Sequence, residues 1–285
     1  MDVGVACFHD LIGQRNARES GYGVVMMSTP NAGPLLREWR VRRRMSQLDL
    51  SARTGVSTRH LSCVETGRAR PSRELLLFLA DELEVPKRNT NEILLAAGFA
   101  PVFTEFALSD TEVSQIAGLV RLVLDGNDPN PTTVIDTRWN LVDANHAALW
   151  FTQGVAAELL EPPINVARLS LHPDGLAPRV RNFGEYAAHL LRQMHRTLEV
   201  THDPQLAELI EEISGYASGA IRNHSEWNGL VLPLQLSIDG HELSFLSTVT
   251  TFGAALDVTL SELSIETLYA ADEATSRVLG LRPWR

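Results

Sequence analysis

The side chains with the clearest chemical potential sit in one short stretch, SARTGVSTRHLSCVETG, at residues 51–67. Gly55 supplies the permissive backbone of a tight turn. Ser57 is placed to cap the helix TRHLSCVET that follows. Within that helix Leu61 and Val64 are three positions apart, so both face the same side as Val56. Thr58, Arg59, Ser62 and Cys63 then face the other side, where a guanidinium and hydroxyls can bond to something outside the protein. The start of the helix adds free backbone N–H groups and the positive end of a dipole, both suited to phosphate. The same spacing also fits a plain helical hairpin that completes a core. From spacing alone the two readings stand side by side.

Catalytic chemistry has no comparable pattern. The chain holds nine histidines, but His189 and His195 are six apart and do not share a helical face. The sequence has no HExxH, no cysteine pair at ligand spacing, no GxSxG and no phosphate-binding glycine loop. Glu211 and Glu212 are adjacent and diverge on a helix. His172-Pro173-Asp174 reads as a turn. The chain is therefore read as a non-enzyme that requires no cofactor and no metal. Its two cysteines, Cys7 and Cys63, are too few and too far apart for a disulfide framework, which fits a reducing, cytoplasmic setting. No apolar run reaches the roughly 18 residues that a membrane span needs.

Charge is unevenly distributed. The 285-residue chain carries a formal charge of -10. Residues 31–73, however, contain ten arginines against three acids, a net of +7, and residues 101–285 have a net of -13. A basic patch around the opening stretch can neutralise phosphates. Arginine supplies nearly all of that charge, since Lys87 is the one lysine in the chain. Arginine favours forked, planar contacts.

The elements that must position these side chains follow from caps and periodicity. PLLREWRVRRR opens with a first-turn proline and has Leu36 and Trp39 on one side. Ser46 caps a second helix, for which Asp49 is a weak capping-box partner. Pro71-Ser72 opens a fourth helix and NTNEILLAAG forms a fifth that ends at Gly98. Short helices around Gly55 match a helix-turn-helix unit. Beyond Pro101 the pattern changes. SQIAGLVRLVLDG is helical; NPTTVIDTRWNLVDAN reads as strand, turn, strand; two long helical stripes follow, beginning near Phe183 and at Pro204. LVLPLQLSIDGHELSFLSTVTTF reads as a hairpin about Asp239-Gly240, DVTLSELSIETLYA as a further strand and ADEATSRVLG as a last helix. The expected organisation is an extension over 1–30, an all-α domain over 31–103 and an α+β domain over 104–285.

Leu36 to Ser72 resembles the lambda-repressor-like, or XRE-type, bacterial regulators. The matching frame is Arg40, Ser46-Gln47, Leu50, Gly55-Val56-Ser57, Leu61-Ser62, Glu65, Gly67 and Pro71-Ser72. The run VSTRHLSCVETGRARPSRELL, followed by EILLAAGFAP, is similar to the MmyB-like branch. The resemblance implies a DNA reader. It assigns base-edge contacts to Thr58 and Arg59, with Arg59 matched to guanine O6 and N7. Ser62 and Cys63 are further groove-facing positions. Gln47 would anchor phosphate and brace the recognition helix. Arg40 and Glu65 would form an internal ion pair. Arg43, Arg68 and Arg70, with Arg42 and Arg44, are the candidate phosphate contacts. A homodimer on double-stranded DNA is implied.

LVLDGNDPNPTTVIDTRWNLVDAN, NVARLSLHPDGL and STVTTFGAALDVTLSEL resemble the PAS-like domain of the same family. That resemblance implies a bound fatty acid or similar small apolar ligand that modulates operator binding. Phe183, Tyr186, Leu190, Met194, Phe245 and Phe252 are the expected apolar lining, and Arg181, Asn182 and His189 the expected polar mouth. The competing function is a protein-interaction or antitoxin-type module with secondary DNA binding.

Overall fold

A computed structural model describes residues 31–103, 110–222, 231–252 and 258–280; the expected extension over 1–30 lies outside the described residues. The first helices are α1 (Gly33–Arg42), α2 (Gln47–Thr54), α3 (Thr58–Glu65), α4 (Arg73–Glu82) and α5 (Lys87–Ala96). Each begins where local chemistry starts it. Pro34 sits in the first turn of α1. At α2 the capping box is complete: Asp49 N–H donates to Ser46 Oγ at 3.1 Å, and Ser46 N–H donates to Asp49 Oδ2 at 2.7 Å. Aspartate, shorter than the usual glutamate, thus suffices here. Ser57 and Ser72 cap α3 and α4 in the same manner, through His60 N–H and Leu75 N–H.

Leu36, Trp39, Leu50, Leu61, Val64, Leu76, Leu79, Ile93 and Leu94 form the core of this helical unit. Two glycines shape it. Gly55 ends α2 in the left-handed region at φ 72°, so the chain turns into α3 without the strain a Cβ would bring. Gly33 lets the start of α1 lie on the end of α3, where an added Cβ would meet Val64 O at 2.3 Å and Glu65 O at 2.7 Å. The chain leaves the unit past Asn91. This fully buried side chain donates to Phe103 O at 2.8 Å and accepts Val102 N–H and Phe103 N–H at 3.1 Å.

The second unit contains α6 (Asp110–Asn127), β1 (Thr132–Ile135), β2 (Leu141–Ala144), α7 (Val166–Leu171), α8 (Phe183–Thr201), α9 (Pro204–Arg222), β3 (Leu234–Ile238) and β4 (His241–Thr251). The short helix α10 (Val258–Ser261) groups with the helical unit; β5 (Ser264–Ala270) and α11 (Glu273–Val278) then complete the second one. The expected strand over DVTLSELSIETLYA is therefore shorter, because its first part is helical. The five-stranded antiparallel sheet has the order β2-β1-β5-β4-β3. β1 and β5 are far apart in sequence yet central. The β3–β4 hairpin turns at Asp239 and Gly240, both at positive φ, which is the backbone a two-residue hairpin needs.

Alternation along β5 sends Ser264, Glu266 and Leu268 to one face and Ile265, Thr267 and Tyr269 to the other. Tyr269 Oη donates to Asn127 Oδ1 of α6 at 3.3 Å, and Arg121 of α6 donates to both Asp143 oxygens of β2, at 2.7 and 2.8 Å. The opposite face carries the segments inserted between β2 and β3. Their core joins Ile135 and Trp139 to Ala187, Leu190, Leu191 and Met194 of α8 and to Leu206, Leu209 and Ile213 of α9. An all-α helix-turn-helix unit and an α+β unit with a curled sheet and inserted helices thus make up the chain.

Gly33→Ala tests the close approach of α1 to α3. Filling that contact destabilises the helical unit by about 1–3 kcal/mol, read as a lower thermal midpoint by circular dichroism; an unchanged midpoint would contradict the described packing.

Candidate nucleic-acid interface and ligand cavity

The outward residues of α3 depend on an inward one. Glu65 is buried at the end of α3 and meets Arg40 of α1, which is also buried. Arg40 Nε donates to Glu65 Oε1 at 2.6 Å, and a terminal guanidinium nitrogen donates to Oε2 at 2.8 Å. The other terminal nitrogen donates to Met45 O at 2.7 Å, in the turn before α2. Gln47, the first residue of α2, donates from Nε2 to Glu65 Oε2 at 2.9 Å. One carboxylate therefore ties three helices. Burial pushes the Glu65 carboxyl up, but hydrogen bonds from Arg40 and Gln47 outweigh it and hold it below the ordinary carboxylate range. The same carboxylate holds the Arg40 guanidinium in its charged form.

With α3 held this way, Thr58 and Arg59 are exposed in its first turn. Arg59 has no hydrogen-bond or ion-pair partner among the described residues, so its five donors face outward. Ser62 and Cys63, one turn on, are half-buried. Arg68 and Arg70 are exposed beyond the end of α3. Arg42 pairs with Glu38 and lies over the Trp39 ring at 4.9 Å.

Arg43 corrects the expectation that groups it with the phosphate contacts. Its Nε donates to Leu83 O at 2.8 Å and a terminal nitrogen to Glu84 O at 2.6 Å. These are carbonyls at the end of α4 that no later turn of helix satisfies. Arg43 joins α1 to α4 and caps it. Its charge is aimed at the protein, not away from it.

In the second unit an apolar cavity of about 100 Å³ lies between the sheet face of Thr133, Glu266 and Leu268 and the segment that includes Phe151, Leu169, Ser170 and Tyr186. A cleft of about 270 Å³ is bordered by Ile135, Asp136, Trp139, Gln193, Arg196 and Val249. Glu266 borders both. Ser247 Oγ donates to Glu266 Oε1 at 2.5 Å. The residue keeps some exposed surface, yet burial pushes its carboxyl above the usual range against the pull of Ser247. Burial likewise pushes the Tyr186 phenol up, and the charge of Glu266 adds to that.

Of the nine residues expected around a ligand, Tyr186 alone borders the cavity among the described lining. Leu190 and Met194 are core between α8 and α9, and Phe245 is core against Phe151, their rings edge to face at 5.7 Å. Phe183 packs against both clusters. The expected polar mouth also resolves into structural contacts. Asn182 donates to Pro233 O at 2.7 Å and accepts Gln235 N–H at 3.1 Å, tying α8 to β3. Arg181 lies 3.6 Å from Glu242 in an exposed pair. His189 contacts Gln193 at 2.9 Å, and burial, with Arg192 and Arg196, holds its imidazole below its ordinary range. Phe252 follows β4 and is not among the cavity's lining residues. Glu266 escaped the sequence reading. The available signal was a carboxylate sharing the strand face of Leu268 in SIETLYA.

No group of histidine, cysteine and carboxylate side chains among the described residues can hold a metal ion. None of their helices is long and apolar enough to cross a membrane. A helix-turn-helix with a basic outward face, carried on the same chain as a sheet domain with an apolar cavity, defines a DNA-binding transcription regulator with a ligand-binding domain. Residues 36–88 match the family model described as Helix-turn-helix, and residues 117–281 match that of the MmyB-like transcription regulator ligand binding domain. The second match spans more than half of the chain, and the chain belongs to the MmyB-like transcription regulators. No curated protein matches it.

Two substitutions separate internal from outward charge. Glu65→Gln leaves Arg40 buried without its counter-ion and costs about 3–5 kcal/mol. Because the folded carboxyl is held low, the stabilisation it provides is complete above the ordinary glutamate range and is lost as pH falls through the depressed value. Acid denaturation of the variant therefore lacks that step; an acid limb like the wild type's would refute the assignment. Arg43→Ala removes two charge-assisted bonds to the end of α4 and lowers stability by about 1.5–3 kcal/mol in denaturant melts, while the salt dependence of DNA binding stays as in the wild type.

Proposed function

We propose that the chain is a sequence-specific operator-binding regulator in which Thr58 and Arg59 contact base edges and Ser62 and Cys63 face the same groove. The observation that carries this is the unpartnered, exposed Arg59 in the first turn of a helix whose opposite side is anchored by the Arg40–Glu65–Gln47 network. Arginine in that position reaches guanine O6 and N7 with two parallel bonds. Gln47, at the first turn of α2, braces α3 through Glu65 and meets phosphate with what remains of its amide. Arg68 and Arg70 contact backbone phosphate, which positions the protein without selecting sequence. Arg43 leaves that set because its donors are used internally.

One such unit offers a small contact. Two-fold symmetry repeats it, so the operator is near-palindromic and the protein binds it as a homodimer. The ligand-binding domain holds a small apolar molecule and biases operator affinity, by the difference in that molecule's affinity for two arrangements of the protein. A long-chain fatty acid is the ligand the resemblance suggests. The cavity's volume of about 100 Å³ favours something more compact. The absence of a cationic side chain from its described lining also counts against a carboxylate head.

Selection of bound sequences from a random DNA pool tests the reading: recovery of a palindrome supports both specificity and symmetry, and an unenriched pool rejects both. On the selected operator, Arg59→Ala relaxes preference at one base pair per half-site at a cost of about 1–3 kcal/mol. Arg68→Ala weakens all sequences alike and reduces the slope against salt by about one unit. Uniform weakening by both variants would remove Arg59 from base reading.

A further inference from the structure

The polarity of the cavity carries an inference about its ligand, one that rests on the ligand-binding reading above. The described lining is apolar apart from Glu266, Tyr186, Ser170, Thr133 and Thr152. No lysine, arginine, histidine, asparagine, glutamine or tryptophan borders it among the described residues. Thr152 Oγ1 donates to Leu149 O at 2.7 Å, which leaves its lone pairs free. Ser247 donates to Glu266 Oε1, and Oε2 has no hydrogen-bond partner among the described residues. A ligand carboxylate placed there would have no cation in contact among the described lining, an arrangement that burial makes costly. A cation would instead find a carboxylate, with the aromatic side chains of Tyr186 and Phe151 in the same lining. The net charge of -13 over residues 101–285 also draws cations toward this domain.

We propose that the cavity takes a compact apolar molecule bearing a single protonated amine, with Glu266 as its counter-ion. The volume of about 100 Å³ limits the apolar body to one ring or a short chain. Binding is proton-linked. In the empty cavity burial keeps the Glu266 carboxyl protonated to higher pH than a surface glutamate. An arriving ammonium stabilises the carboxylate, and the carboxyl proton leaves to solvent. Affinity for the amine therefore rises with pH through the raised Glu266 value and is lost below it. The groups that face Glu266 are consistent with this. Tyr186 of α8 stays neutral because its own phenol is pushed up. Asp136 and Arg196 line the cleft that Glu266 also borders, and Asp136 there accepts Arg138 N–H and Asn140 N–H. Arg196 is a cationic side chain of that cleft: if it set the polarity, an anionic head would win.

The test uses the full chain and three probes with one apolar body: benzylamine, benzyl alcohol and benzoate. Calorimetry at several pH values, in buffers of different ionisation enthalpy, reads affinity and proton release together. The inference expects benzylamine to bind at least about tenfold more tightly than benzoate, with release of a proton below the raised Glu266 value. Glu266→Gln abolishes that preference and the proton release. An unchanged melting curve separates a lost charge from a lost fold. Benzoate binding as tightly as benzylamine overturns the inference and leaves the ligand-binding reading intact; so does a preference that survives Glu266→Gln. Loss of benzoate binding in Arg196→Ala would then assign the polarity to the cleft. If none of the three probes binds, the inference falls, and the cavity ceases to be the ligand site.

Discussion

The Arg40–Glu65 pair is the constraint on which the DNA-reading unit depends. Both charges are buried, so each would carry a large desolvation cost alone. Two parallel bonds between them, one from Gln47 and one to Met45 O satisfy most of the remaining polar capacity. That requirement is geometric. The carboxylate is satisfied only when α1, the start of α2 and the end of α3 take one arrangement. Apolar packing of Leu36, Leu50, Leu61 and Val64 supplies the general attraction. The pair selects one packing among those the apolar side chains would tolerate. What α3 presents outward, Thr58 and Arg59 above all, is therefore set by a contact on its inner side.

The second unit solves a different problem. Its sheet is covered on both faces, and the inserted segments between β2 and β3 form a lid of apolar side chains over one of them. The core lies around α8 and α9, and the cavity lies toward β1, β5 and the segment from Ala148 to Leu176. A carboxyl at that point is destabilising unless something compensates it, and Ser247 compensates one oxygen only. Groups that fold stability alone would not favour tend to mark functional sites. Glu266 has that character, whereas the paired Arg168–Glu212 of α7 and α9, bidentate at 2.6 and 2.7 Å and joined by Tyr216 Oη, is satisfied within the protein.

Sequence spacing carried the helical unit almost whole. Caps at Ser46, Ser57 and Ser72, the turn at Gly55 and the apolar stripe are local signals, and local signals survive in any fold that keeps the helices. The resemblance placed Arg40 opposite Glu65, which spacing by itself does not do across 25 residues. Arg43 shows where local reasoning stopped: in a run of three arginines each looks alike, and only the proximity of the α4 terminus sends one inward. In the second unit the strands, the Asp239-Gly240 hairpin and the long helices were legible from alternation and stripe. The helical turn at Val258–Ser261 was not, since four residues of mixed type have no period to read.

The ligand residues mark the division most clearly. An apolar stripe on α8 identifies which side is buried, but core and cavity lining are both buried, so Leu190, Met194 and Phe245 could not be told from true lining. That distinction is a matter of gaps between elements, here β1, β5, α7 and the segment before it, and no single element contains it. The sequence, through its spacing and the resemblance it carries, determined the class of protein: a basic helix-turn-helix unit joined to an acidic α+β domain. The tertiary structure decided which charges are internal, where the cavity opens and that a carboxyl stands in it. Those depend on distances between residues far apart in the chain, such as Tyr186 and Glu266, brought together because β5 inserts between β1 and β4.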